Sequence, residues 1–439
     1  MSEVAKSTTF APGPEESLTI DIDVESQLAM AKLLSQYGNI VKLNDVKRKG
    51  LSYLITEPDA IKHILITNHG NYQKGAGFER VKMLLGNGII VSDGAFWRRQ
   101  RTMIQPAFSR KNIAQLCEMI KRVTQDLIPE WTRMAKSGET IDITTAMSAF
   151  SLEVILRALI SNDLDKIIAE HGENPFSFLV DDPTRDLSVA MRFRQLGKLI
   201  QKVIDTRRED ARENASDTQD LLSALMSATD KDGENMSDKE LIDEVMTMII
   251  AGHETSAGTL NWVWYELSQH PEEDEKAYDE AVKYVSDGTI ETDDIPKLVF
   301  IKQCINEALR LYPPVWLFSR KAINDDEVMG YTIPTGTNVF LSPYFTHRDP
   351  ALWDKPDEFF PQHFDDDGAH LKHKHSFIPF SAGSRRCIGE YFSYVEMQAH
   401  LSILLKHFRL VALPNQNIEI EPAINLRTKN SIMMQINLR

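Results

Sequence analysis

The chain has 439 residues, 26% of them charged and 42% hydrophobic, and a formal net charge of −15. That balance belongs to a globular protein with a large core and excludes disordered and fibrous classes. No long basic run offsets the acid excess, so binding to nucleic acid or an anionic bilayer is not expected, because both need accumulated Lys and Arg.

Residues 1–15 are polar and weakly patterned and read as a flexible segment ahead of one large domain, 16–439. The start MSEVAKSTTF lacks the charged-then-apolar order of a signal peptide. No apolar run is read as reaching the ~18–20 residues that span a bilayer, so no membrane span is expected. Three sparse cysteines, Cys117, Cys304 and Cys387, do not make a disulfide framework and fit a reducing compartment. A cytoplasmic, monomeric protein is the expectation.

In chain order, Ile40-Val41-Lys42-Leu43 and Tyr53-Leu54-Ile55 predict two early strands. Ser92-Asp93-Gly94 opens a helix on which Trp97 and Arg101, four apart, share a face. Three- and four-residue apolar steps predict helices over Lys111–Met134, Ala149–Ile160, Gln195–Arg212 and Asp220–Ser227. After the turn-rich Asp230–Asn235, Ser237 caps a long helical pattern with Glu240 as its capping-box partner. That pattern runs from Asp238 to about Gln269, and ~30 residues at 1.5 Å each would extend ~45 Å. Helical runs follow at Cys304–Leu311 and Tyr391–Phe408, with strand-like pieces at 329–342 and 417–438. There is no internal repeat. The fold class is mainly α with small β-sheets, built around a long central helix.

Residues 377–390 read Phe-Ile-Pro-Phe-Ser-Ala-Gly-Ser-Arg-Arg-Cys-Ile-Gly-Glu. A cysteine just before a helical run has its thiolate favoured by the amides at the helix N-terminus. Gly383 lets the backbone turn close to a flat ligand, and Gly389 permits tight packing behind the sulfur. Phe380 can cover the thiolate, and Arg385 supplies a cation for an acidic group. Alone, a single Cys reads as a small buried hydrophobe. At this spacing, Phe380, Gly383, Arg385, Cys387 and Gly389 match the five fixed positions of the heme-binding motif of the cytochrome P450 superfamily, and the chain resembles that family. The resemblance implies the cytochrome P450 fold over 16–439 and heme b (iron protoporphyrin IX) held by Cys387 as the iron's proximal ligand.

Further matches follow in the family's order. Ala251-Gly252-His253-Glu254-Thr255-Ser256 resembles its oxygen-activation motif. There Ala251 and Gly252 would leave room for dioxygen, while Glu254 and Thr255 would deliver protons with bulk water excluded. Without Cys387, AGHETS would read as a polar kink, because Ser and Thr bond backbone carbonyls in helices. Glu307 and Arg310 resemble the family's structural Glu-x-x-Arg pair. Its usual third member is an Arg in a Pro-Glu-Arg-Phe stretch, and His363 of Phe360-Pro361-Gln362-His363-Phe364 stands in its place. That departure is expected to weaken the cluster and make its stability pH-sensitive. Trp97 and Arg101 resemble a propionate-binding Trp-x-x-x-Arg, and Arg320, after Pro313-Pro314, matches another such position. Arg101, Arg320 and Arg385 would then neutralise both heme carboxylates, which suits the fixed fork of Arg donors.

The implied function is a monooxygenase that places one oxygen atom of O2 into a C–H bond of a small organic substrate, by hydroxylation or oxidative demethylation. A peroxide-driven, isomerase- or dehydratase-type heme-thiolate enzyme is the alternative, although these commonly lack an acid–alcohol pair such as Glu254/Thr255. Lys74-Gly75-Ala76-Gly77-Phe78 lacks the third glycine and strand-to-helix setting of a nucleotide fingerprint. Electrons would therefore come from a ferredoxin or flavodoxin and its reductase, docking on Arg98, Arg99, Arg110, Lys111, Arg386 and Lys406. His370, His373 and His375 lack a supporting carboxylate or cysteine and read as a surface loop rather than a metal site. By family analogy, segments 75–91, 176–196, 246–251 and 314–318 line the substrate chamber. Their apolar stretches, with a polar entrance about Asp181-Asp182, Arg185-Asp186, Met191 and Arg192, suit a lipid-like or terpenoid molecule bearing a polar handle, or a smaller methoxy compound.

Overall fold

The computed structural model describes residues 9–47, 50–181, 187–213, 220–286 and 288–439. Most of the flexible segment expected at 1–15, and the entrance residues Asp182, Arg185 and Asp186, lie outside the described residues. The chain forms two compact units, and helices dominate with small sheets beside them.

The first unit comprises the chain up to Phe78, Asn306–Cys387 and Ile420–Arg427. It is built on a mixed five-stranded sheet. Ile40–Asp45 pairs antiparallel with Gly50–Ile55, which runs parallel to Asn338–Leu341. Phe318–Ala322 and Tyr72–Lys74 complete the sheet, both antiparallel to their neighbours. Apolar clusters cover both faces: Val41, Leu43, Leu54 and Phe340 pack with Met30 and Trp316 on one side. Ile40, Tyr53, Ile55, Val339 and Leu341 pack with Ile61 and Ile64 on the other. Burial on both faces explains why these strands read as apolar runs rather than strict alternations. Gly75 is a tight approach to this sheet, since a Cβ there would lie 2.6 Å from Ser319 Oγ, while the amide of Ala76 donates to Asn338.

The second unit is helical. The long helix runs Asp238–Gln269, with Ser237 and Glu240 forming the expected capping box. It is buried on most sides, as befits a core helix rather than an amphipathic one. Helix Ile143–Ile160 packs along it, and Gly252 is the point of closest approach: a Cβ there would sit 2.8 Å from Ile155. At 18 residues, Ile143–Ile160 is apolar and long enough to cross a membrane by composition, which corrects the expectation that no run is. The sequence disguises it with Glu153 and Arg157, which pair with each other at 2.5 Å. Most of that helix is buried inside the protein.

The predicted helix Lys111–Met134 is two helices, Arg110–Gln125 and Ile128–Ser137, with Pro129 in the first turn of the second. Proline has no amide to extend the first helix and suits the start of a new one. Helix Glu390–His407 follows the cysteine segment. A three-stranded sheet, Phe408–Ala412, Met433–Leu438 and Thr140–Asp142, closes this unit.

Candidate active site

The cysteine segment folds back on itself in the first unit. The amide of Cys387 donates to Phe380 O at 2.9 Å, and that of Arg386 to Gly383 O at 3.1 Å. Gly383 sits at φ +71, and a Cβ there would lie 2.0 Å from Leu65 O, so only glycine allows the turn. The same turn holds Arg385 in a short 3-10 segment, Gly383–Arg385. Cys117 and Cys304 are buried, whereas Cys387 is exposed. Its sulfur stands three residues before helix Glu390–His407, whose N-cap is Gly389. Arg320 lies on strand Phe318–Ala322, buried, with its guanidinium donating to Ser319 O at 2.9 Å.

Behind this turn lies a buried ionic cluster. Arg310 grips Glu307 bidentately at 2.7 and 2.9 Å, with both side chains fully buried. Its remaining donors go to the carbonyls of His347, Pro356 and Glu358 at 2.6–2.9 Å. His363 completes the cluster rather than leaving a gap: Nδ1 meets both Glu307 oxygens at 3.1 and 3.2 Å, and Nε2 faces Asp354 O. His347, which the sequence did not flag, links the cluster to the cysteine segment by accepting the Ile378 amide at 2.9 Å. Burial, then the Arg310 and Arg348 charges, hold His347 down at about 3, so its ring is a neutral acceptor. His370 Nδ1 bonds His363 O at 2.9 Å and His373 faces Asp59, so two of the three loop histidines are engaged in local contacts.

In the second unit, Thr255 Oγ1 donates to Ala251 O at 2.6 Å and Thr259 Oγ1 to Thr255 O at 2.8 Å. These bonds give Ala251–Thr255 a polar notch on an otherwise largely apolar buried helix. Gly252 also lies against Ile155, where a Cβ would sit 2.8 Å from its side chain. His253 turns aside to Ser148 Oγ at 2.9 Å. Glu254 is half-buried beside it.

Beneath the notch is a carboxyl that sequence reasoning missed. Glu396, on helix Glu390–His407, accepts from Ser151 Oγ at 2.8 Å and Ser256 Oγ at 2.9 Å. Ser151 also lies 3.3 Å from Gly252 O. Burial pushes the Glu396 carboxyl up to about 8, the two serines opposing the shift. No local pattern announces this residue, because its partners are 245 and 140 positions away.

Trp97 and Arg101 lie on helix Gly94–Ile104, with Trp97 buried and Arg101 Nε 3.4 Å from Gln105. The expected basic surface is smaller than its sequence inventory. Arg99 bonds Asp230 and Glu240 at 2.6 and 2.8 Å and so ties its helix to the start of the long one. Lys406 donates to Val285 O at 2.6 Å. Arg98, Arg110 and Lys111 remain exposed on this unit, and Arg386 is exposed on the cysteine segment.

Within the first unit, an exposed thiol in a glycine-hinged turn, with Arg320 and Arg385 in the same unit, suits a flat, dianionic iron chelate. The model of the cytochrome P450 family matches residues 18–174 and 173–435. The chain is similar to cyclooctatin synthase of Streptomyces melanosporofaciens, 32% identical over 90% of this chain and 87% of that protein. It is also similar to cyclooctat-9-en-7-ol 5-monooxygenase of the same organism, 29% identical over 88% of this chain and 85% of the relative. Pentalenene oxygenase of Streptomyces avermitilis is 28% identical over 88% of this chain and 87% of its own. The chain belongs to the cytochrome P450 family. It is a heme-thiolate monooxygenase that carries heme b and acts on a small organic substrate.

Two measurements test the buried groups. Replacing His363 by Ala should cost about 3 kcal/mol in denaturant unfolding of the heme-loaded enzyme, because it strips a partner from the buried Glu307 carboxylate. His363→Arg should stay within ~1 kcal/mol of the parent. Glu396 is neutral in the fold but ionises near its ordinary 4.5 in the unfolded chain, so the fold binds the extra proton between 4.5 and about 8. Its contribution to stability is therefore full below 4.5 and is lost as pH rises to about 8. Unfolding measured across that range should show a shallower fall for Glu396→Gln than for the parent.

Proposed function

We propose that the chain is a reductase-fed monooxygenase of apolar, terpenoid-like molecules, with Cys387 as the axial thiolate. The observation that carries this reading is the exposure of Cys387, alone of three thiols, in a turn closed by its own amide. When bound, the heme supplies dioxygen binding and reductive O–O cleavage, which thiolate donation favours. Arg101, Arg320 and Arg385, with Trp97, would hold its two carboxylates, and Phe380, Gly383 and Gly389 would let the chain lie close to its face.

On the long helix, Ala251 and Gly252 would flank the oxygen site, while Thr255 and Glu254 would manage protons. Thr255 spends its proton on Ala251 O, which leaves its oxygen lone pairs to accept from a water or an acid. Glu254 would pass protons inward from its half-buried position. Glu396, braced by Ser151 and Ser256, fixes the back of the notch so that its carbonyls keep their direction.

For the substrate, relatives whose names specify pentalenene and cyclooctat-9-en-7-ol support an apolar skeleton with at most a hydroxyl. That favours the terpenoid reading over the methoxy compound. The apolar residues Met246, Met248, Ile249 and Ile250 of the long helix suit such a molecule. Electrons would come from a ferredoxin or flavodoxin and its reductase, met by Arg98, Arg110, Lys111 and Arg386. Three sparse cysteines without framework spacing support a cytoplasmic setting.

Turnover of the heme-loaded enzyme with reductant and dioxygen, compared with peroxide alone, tests this reading. The parent should require reductant. Thr255→Ala should keep consuming reductant while product per electron falls about 100-fold, the scale of a positioned proton donor. Unchanged coupling in Thr255→Ala would remove its proton role, and full turnover on peroxide alone would favour the peroxide-driven class.

A further inference from the structure

Loop Gly86–Val91 is clasped to the first third of the long helix. Asp243 accepts the Asn87 amide at 2.9 Å, and Glu244 Oε2 accepts the Ile89 amide at 2.9 Å. A Cβ at Gly86 would lie 2.1 Å from the Asp243 carboxylate, and one at Gly88 would lie 2.2 Å from Thr247 Oγ1. The clasp uses only half of the Glu244 carboxyl. Glu244 Oε1 and Thr247 Oγ1 are both buried without a hydrogen-bond partner, in residues only 1% exposed.

An unpaired buried polar atom costs about 1–3 kcal/mol, and native folds contain few. Two within one turn of the same helix are not explained by the clasp, which needs a single acceptor. Val at 247 would fill the same space with no polar penalty. Positions 244, 247, 251 and 255 follow the i, i+3, i+7, i+11 spacing of one helical face. At 1.5 Å per residue, Glu244 and Thr247 stand ~10 Å and ~6 Å along the axis from Ala251. Val245, Met246, Met248, Ile249 and Ile250 around them are buried and apolar.

We infer that Glu244 and Thr247 recognise a hydroxyl group on the substrate, one to two helical turns before Ala251; the inference rests on the long helix bordering the substrate chamber. Burial, with Asp243 and Glu240 nearby, pushes the Glu244 carboxyl up to about 8, so at neutral pH it is a hydrogen-bond donor. An alcohol oxygen accepts from the Glu244 carboxylic acid while its own hydrogen goes to Thr247 Oγ1, and both orphan atoms are satisfied at once. A parent hydrocarbon satisfies neither. Gly88 lies against Thr247 and the Ile89 amide on Glu244, so the alcohol displaces this part of the loop to reach them. The substrate is then an already hydroxylated apolar skeleton, supplied by a reaction that installs the first oxygen.

Heme-loaded parent, Glu244→Gln and Thr247→Val are titrated with cedrol and with cedrene, and binding is read from the ferric heme's optical shift. The parent should prefer the alcohol by about tenfold, one good hydrogen bond's worth, and each variant should bring the ratio close to one. Equal binding of the two probes by the parent, or a preference that survives both variants, overturns the inference. Should neither probe perturb the parent heme while imidazole does, the terpenoid reading fails, and infrared difference spectra decide the hydroxyl assignment separately. There the neutral-acid carbonyl band missing from Glu244→Gln should shift with octanol and not octane; a band that octanol leaves unmoved overturns it.

Discussion

A helix of 32 residues buried on most sides leaves the polar side chains of its buried stretch little recourse to water. Several of them meet partners inside the second unit, and those contacts organise it. Ser256 reaches Glu396, His253 reaches Ser148, and Thr144 reaches Asn261. Gly252 has no side chain so that Ile155 can close on it. At the notch, Ala251–Thr255, threonine hydroxyls bond helix carbonyls within an otherwise well-packed helix. A proton-handling site needs this combination: local polarity, fixed geometry and exclusion of bulk water.

The cysteine turn is held by a comparable logic in the other unit. Glu307 fixes Arg310, Arg310 fixes the His347 carbonyl, and the His347 ring fixes the Ile378 amide. Nine residues later the thiol emerges. The cluster touches no reacting atom, yet it decides where the backbone of the turn begins. His363 shows that the cluster accommodates a different third member, with oxygens facing both of its ring nitrogens.

Much of this was legible in the sequence, for identifiable reasons. The long helix was readable end to end because its cap is a local code, Ser237 with Glu240, and its pattern is broken only by Gly252 and Gly258. The cysteine segment was readable because five residues within ten positions have one structural explanation. What escaped were relations across long separations. Glu396, His347 and the unpaired oxygen of Glu244 look like any Glu or His in a helix or loop, and only the fold shows what they meet. Strand Phe318–Ala322 was hidden because its Arg320 drew the reading towards chemistry rather than pairing. Arg99 and Lys406 were counted as surface charges because sequence cannot show that a cation is already spent on Asp230 or on a carbonyl.

The central claim is that Cys387, not Cys117 or Cys304, holds the iron. The three single Cys→Ser variants, reconstituted with heme, reduced and exposed to carbon monoxide, test it directly through the red-shifted absorption band of a thiolate-ligated complex. Cys117→Ser and Cys304→Ser should keep the parent band, as buried thiols, and Cys387→Ser should lose it. Survival of that band in Cys387→Ser, or its loss in either of the others with the fold intact, would contradict the account.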